Sequence, residues 1–216
     1  MTESAAEPLR DDPVSVDVVS SETVFAGRVW NIRRDEFTYN DDTIVREYMD
    51  HTGAVAILAL DDEDRVLLIK QYRHPVRVRD WEIPAGLLDI AEEDAVAAAQ
   101  RELAEEADLV ASRWDVLGEF YTTPGGSDEA IRIYLARGLS AAPETFERSE
   151  EEADIEVRWV ALDDIVDAVL DRRVQNPSLV VGALAAHASR ARGWSTLAPA
   201  DTPWTRRSRP VGAHSQ

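Results

Sequence analysis

A chain of 216 residues holds one or two domains, and with 44% hydrophobic residues it has enough apolar material to bury a core. Its formal net charge of −19, from 42 acidic against 23 basic residues, opposes binding to phosphate backbones and anionic membranes, so neither nucleic acid nor membrane is expected as a partner. The lack of cysteine excludes disulfides, a thiol nucleophile and Cys-bound zinc. The opening MTESAAEPLRDD has no basic start or apolar stretch, and no apolar run approaches the ~18 residues of a membrane span. A cytoplasmic location is the expectation.

Residues 1–17 are polar and acidic, with Pro8 and Pro13, and are expected to form a disordered tail. From 20 to 48, the runs Thr23-Val24-Phe25, Trp30-Asn31-Ile32 and Phe37-Thr38-Tyr39 are broken by Asn40-Asp41-Asp42. They predict a small N-terminal antiparallel β domain over 18–50. A unit of this size is marginal alone, so it must pack on the main domain or on a second subunit.

The main domain, 51–196, opens with apolar runs at 53–60 and 65–72 around Asp61-Asp62-Glu63-Asp64, which predict a buried hairpin. Trp81-Glu82-Ile83-Pro84-Ala85-Gly86 predicts a short strand stopped by Pro and Gly. A helix is predicted over 94–108, where Val96, Ala99, Leu103 and Ala107 recur at helical spacing. Further strands are predicted at 114–121, 130–136 and 156–160. Helices are predicted at 162–173 and, after Asn176-Pro177-Ser178, at 179–192. Residues 197–216, rich in Pro and Arg, are expected to be loose. Strands on both sides of one helix, with helices at the end, make a mixed α/β sandwich.

The predicted central helix ends Arg101-Glu102-Leu103-Ala104-Glu105-Glu106. At ~100° per residue from Val96, Glu106 falls about 80° and Glu102 about 120° from the apolar centre. Two carboxylates one turn apart therefore flank the buried face, with Glu105 beside them. Like charges at this spacing, near the negative end of the helix dipole, destabilise the helix. A divalent cation would reverse both penalties; a solvated acidic face is the plainer alternative.

From Gly86 the chain continues through Glu93 to Arg101-Glu102-Leu103-x-Glu105-Glu106-x-x-Leu109, directly after Pro84-Ala85. This pattern resembles the Nudix box. Six residues separate Gly86 from Glu93 where the box has five, and Asp108 stands where the box has glycine. Glu92 keeps the first spacing but breaks the step to Arg101. Neither departure removes a metal ligand. Lys70-Gln71-Tyr72-Arg73, Trp81 to Gly86 and Pro124, fifteen residues past the box, further resemble the ADP-ribose pyrophosphatase group.

The resemblance implies a Nudix-type α/β/α sandwich with a mixed sheet, plus the small N-terminal β domain exchanged in a homodimer. It implies hydrolysis of ADP-ribose, a small-molecule nucleotide, to AMP and ribose 5-phosphate with Mg²⁺, for which Mn²⁺ can substitute. The ligands implied are Glu102, Glu106, the Ala85 carbonyl and Glu152, with Glu105 nearby. Glu152, in the acidic run 147–154, is the implied catalytic base, and Glu105 is the next candidate. Arg73 is implied to hold the diphosphate, with Leu87 also at the substrate. Trp30, Arg46 and Glu47 are implied at the adenine, partly from the second subunit; Trp30 could equally be a core residue of the β unit. Hard oxygen donors suit such ions, which neutralise charge on the leaving phosphate. The alternatives are a hydrolase for another nucleoside diphosphate sugar or an oxidised nucleotide, and a non-catalytic ADP-ribose-binding regulator. His51, His74, His187 and His214 are scattered and are expected to be structural or at the surface.

Overall fold

The computed structural model describes residues 8–144 and 155–204. The chain divides into two compact units, Met1–Asp50 and His51–Gln216.

The first unit is one antiparallel sheet in the order β1 (Asp17–Ala26), β2 (Asn31–Tyr39), β3 (Asp42–Asp50). Asn40 and Asp41 have φ of 51° and 67°, the left-handed pair that a two-residue hairpin loop demands and that Asn and Asp tolerate. Arg34, on the middle strand, ties all three strands by pairing with Glu22 at 3.2 Å and Glu47 at 2.9 Å. Every residue of β1 is exposed, Val18, Val24 and Phe25 included. Trp30 lies between β1 and β2 and is 40% exposed, so it is no core residue of the sheet.

The second unit runs β4 (Ala54–Ala59), β5 (Arg65–Arg73), β6 (Val78–Glu82), β7 (Ala85–Leu87), α1 (Ala95–Ala107), β8 (Leu109–Tyr121), β9 (Ala130–Ala141), β10 (Glu156–Ala161), α2 (Leu162–Leu170), α3 (Pro177–Arg190), β11 (Ala198–Pro199). One sheet has the order β11-β8-β9-β4-β7, with β4 and β9 parallel and the other pairs antiparallel; a second has the order β10-β5-β6.

The hairpin predicted from the runs at 53–60 and 65–72 does not form. Only the Leu60–Val66 bridge joins them, and β4 and β5 enter different sheets. Both runs are apolar on both faces, so each becomes a central strand with a neighbour on either edge. Ala54, Ala56 and Leu58 face Ile165, Leu179 and Ala183 of α2 and α3. Val55, Ile57 and Ala59 face Ala98, Ala99 and Leu103 of α1. The helices thus cover both faces of β4. Burial of each Leu or Ile in these cores contributes roughly 1.5–3 kcal/mol.

The second end of the chain also departs from expectation. Residues 198–204 are docked: β11 pairs with Asp115 and Val116, while buried Arg132 donates to the Thr202 carbonyl at 2.7 Å and stacks on Trp204 at 4.9 Å. The anchor is a cation–π contact with a charge partner, Glu119, 2.9 Å from Arg132 Nε. Residues 205–216 lie outside the described residues. Among the described residues no helix is long and apolar enough to cross a membrane.

Helix α1 stops at Asp108, which is left-handed at φ 54°, ψ 34° and donates its N–H to the Ala104 and Leu103 carbonyls. A side chain there costs more than glycine would, and its charge faces the negative end of the dipole. Replacing Asp108 with Gly is therefore expected to raise stability by about 1 kcal/mol in equilibrium denaturation. An unchanged or lowered midpoint would count against this account of the helix end.

Candidate active site

The buried face of α1 carries Ala98, Ala99, Leu103 and Glu106, a stripe rotated toward Glu106 from the one centred on Val96. Glu106 is thus inside the apolar stripe, 5% exposed, and not on its flank. Burying a carboxylate in a helix's last turn is costly unless donors meet it. One donor is the Ala85 N–H, 2.9 Å from Oε2, at the start of β7. Pro84 helps to aim that N–H by giving its own carbonyl to the Ile57 N–H at 2.8 Å.

Gly86, the next residue, lies under Glu102. A Cβ at position 86 would stand 2.0 Å from the Glu102 carboxylate. The missing side chain therefore opens the space in which the second carboxylate rests. Arg101 holds the group together from the solvent side. It pairs with both oxygens of Glu93 at 3.1 Å and, through Nη1, with Glu102 at 2.6 Å and Glu105 at 3.1 Å. Glu93 first, then Glu102, hold its guanidinium protonated well beyond the ordinary arginine range, against the opposing effect of burial. The geometry also decides between the two loop glutamates: Glu93 reaches Arg101, while Glu92 takes a left-handed φ of 65° and absorbs the additional loop residue.

Among the described residues no three Asp, Glu or His side chains are gathered as a preformed ion site. The donors nonetheless suit a hard divalent cation. Glu102 and Glu106 are carboxylates one turn apart at the β7 edge, and the cradle at Gly86 is one that a Cβ would fill. Ala85 is at the same edge. Glu152 lies outside the described residues.

Arg73 makes two bonds to buried Glu82, Nε to Oε1 at 2.7 Å and Nη2 to Oε2 at 2.6 Å. The resemblance implies a substrate role for Arg73 but says nothing of that partner. Glu82 is 2% exposed, and an acidic residue between Trp81 and Ile83 was the available signal. Leu87, on β7 beside Ala54, is half-buried against the α2–α3 core. Trp30, Arg46 and Glu47 belong to the first unit, where Arg46 donates to the Val45 carbonyl at 2.8 Å and Glu47 pairs with Arg34.

A second polar group ties the 122–129 loop to the start of the main unit. The His51 N–H donates to Asp128 at 2.8 Å, and His51 Nε2 lies 3.3 Å from Glu129, which also accepts from Thr122 at 2.6 Å. His51 Nδ1 accepts the Gly53 N–H at 3.0 Å, so the proton of a neutral ring sits on Nε2, toward Glu129. Desolvation lowers the His51 pKa, outweighing Glu129 and Asp128.

The strand-to-helix carboxylate arrangement falls inside residues 50–180, which match the NUDIX domain. The chain belongs to the NUDIX family. It is 42% identical over 189 residues to the ADP-ribose pyrophosphatase of Mycobacterium tuberculosis, covering 87% of this chain and 90% of that protein. It is 37% identical over 157 residues to the ADP-ribose pyrophosphatase of Bacillus subtilis, covering 72% and 84%. The crystal structure of an ADP compounds hydrolase superposes with a TM-score of 0.70 at 20% identity, over 85% of this chain and 99% of that one; it shares the fold. Nudix hydrolases generally use divalent metal ions, in keeping with the donors at Gly86 and Glu106.

The Gly86 cradle makes a sharp expectation. In Gly86→Ala the atoms that must move belong to a flexible side chain, so stability should change little. Mn²⁺ affinity, read by electron paramagnetic resonance, should fall by ~10-fold or more because Glu102 is displaced. Undiminished Mn²⁺ binding would sink the assignment of Glu102 as a ligand.

Proposed function

We propose that this Nudix hydrolase cleaves the diphosphate of ADP-ribose to AMP and ribose 5-phosphate with Mg²⁺, for which Mn²⁺ can substitute. The observation that carries the reading is the Gly86–Glu102–Glu106 arrangement in a chain 42% identical to an ADP-ribose pyrophosphatase over most of both proteins. Glu102, Glu106, the Ala85 carbonyl and Glu152 would hold the metal. Bound there, the metal neutralises charge on the phosphates and acidifies water.

The residues of the chain do the rest. Ala85 N–H and the Leu103 stripe fix Glu106 on the buried side, so its carboxylate is preoriented. Arg101 restrains Glu102 and Glu105. Buried Glu82 sets the plane of the Arg73 guanidinium, which presents bidentate donors to the diphosphate. Glu152, or failing it Glu105, takes the proton of the attacking water as the P–O bond of the diphosphate breaks. Leu87 borders the substrate, and Trp30, Arg46 and Glu47 hold adenine, in part from the second subunit of a homodimer. The fully exposed β1, with Phe25 and Val18, supports that assembly.

Initial rates with Mg²⁺ on ADP-ribose, other nucleoside diphosphate sugars and nucleoside triphosphates test the substrate. ADP-ribose should give the highest kcat/KM, and preference for a triphosphate would overturn the reading. Glu106→Gln keeps an acceptor for the Ala85 N–H, so the fold should survive while turnover falls by several orders of magnitude. Near-normal rates at saturating Mg²⁺ would refute its role. For Glu152→Gln we expect kcat lower by about 10²- to 10⁴-fold with KM nearly unchanged, and mild effects in Glu150→Gln and Glu151→Gln. An active monomer in sedimentation at assay concentration would remove the dimer.

A further inference from the structure

A cleft of about 200 Å³ opens between the β10-β5-β6 sheet and helices α2 and α3. None of Gly86, Glu102, Glu105 or Glu106 lines it. Its apolar surface comes from Trp81, Val160 and Val174, with buried Leu68, Ile165 and Leu179 behind them. The register explains this grouping: Leu68 pairs with Arg158 across β5 and β10, and Lys70 with Trp81 across β5 and β6, so these side chains share one face.

The charges at the rim are what set the cleft apart. Arg158 has no hydrogen bond or ion pair among the described residues, and Arg173 is held only by Asp171 at 3.4 Å. Asp164 is the single acidic group among the lining residues, beside two arginines. A guanidinium without a partner among the described residues, beside an apolar cleft, suits a carboxylate carried on an apolar body. A cavity of ~150 Å³ accepts benzene, so about 200 Å³ has room for one ring with a small substituent.

We propose that this cleft is a second ligand site, distinct from the carboxylate cluster, which binds a small single-ring aromatic carboxylate with its ring on Trp81, Val160 and Val174 and its charge on Arg158 and Arg173. The site does not depend on the hydrolytic reading, because no residue is shared.

Calorimetric titration of the full chain tests it, with benzoate as the probe. Benzoate should bind saturably, in the millimolar range or tighter. Acetate, which lacks the ring, and benzyl alcohol, which lacks the charge, should each bind at least ~10-fold more weakly. Arg158→Ala removes an exposed side chain, so folding is not at stake, and it should weaken benzoate by ~10-fold or more. Arg192→Ala, an exposed arginine that does not line the cleft, should leave binding unchanged. Absence of a saturable isotherm, equal binding of acetate or benzyl alcohol, or undiminished binding by Arg158→Ala would each overturn the proposal.

Discussion

A buried carboxylate organises the main unit. Glu106 occupies a position on α1 where helix periodicity calls for an apolar side chain, at the helix end least hospitable to negative charge. The Ala85 N–H meets it, and for that bond to exist β7 must begin beside the last turn of α1. Gly86 then lets Glu102 lie against the same strand. Arg101, with Glu93, supplies the opposing charge from outside. Remove the strand-to-helix bond and each of these partners loses its reason for being placed as it is. A fold optimised only for stability would put a leucine there, which is why the arrangement reads as functional strain.

The scaffold under that strain is stiff because β4 has no exposed side. Its six residues alternate between the α1 core and the α2–α3 core, and β9 and β7 cover its edges. Interiors packed at crystal-like density resist displacement, so strand and helix hold the carboxylates to a fixed separation. The first unit lacks such an interior. Its integrity rests on backbone ladders and on cross-strand charge pairs such as Arg34 with Glu22 and Glu47.

Local patterns in the sequence were legible, and distant pairings were not. Helix α1 was expected over 94–108 and spans Ala95–Ala107, because apolar periodicity and a residue suited to the left-handed region mark both of its sides. The spacing from Gly86 to Glu106 likewise placed the acidic cluster, since it lies within one turn and one helix. The pairing of β4 depends on β9, more than seventy residues on, and a run apolar on both faces carries no sign of which neighbour it will take. For the same reason the docking of Trp204 on Arg132 was unreadable: the cation and the ring are too far apart in sequence to suggest each other. Arg73 with Glu82 is an intermediate case. Nine residues separate them, the span of a tight hairpin, but only the β5–β6 register brings them together.

Lys70 is the sole lysine in the chain, and it stands on the Trp81 ring. Its amine is accordingly the one side-chain target for acylating reagents, surface-coupling chemistry and enzymes that modify lysine. Side-chain attachment would then be at a known strand, in a defined orientation, with the α-amine as the other reactive amine. Acylation would also erase the ammonium charge and with it the attraction to the indole.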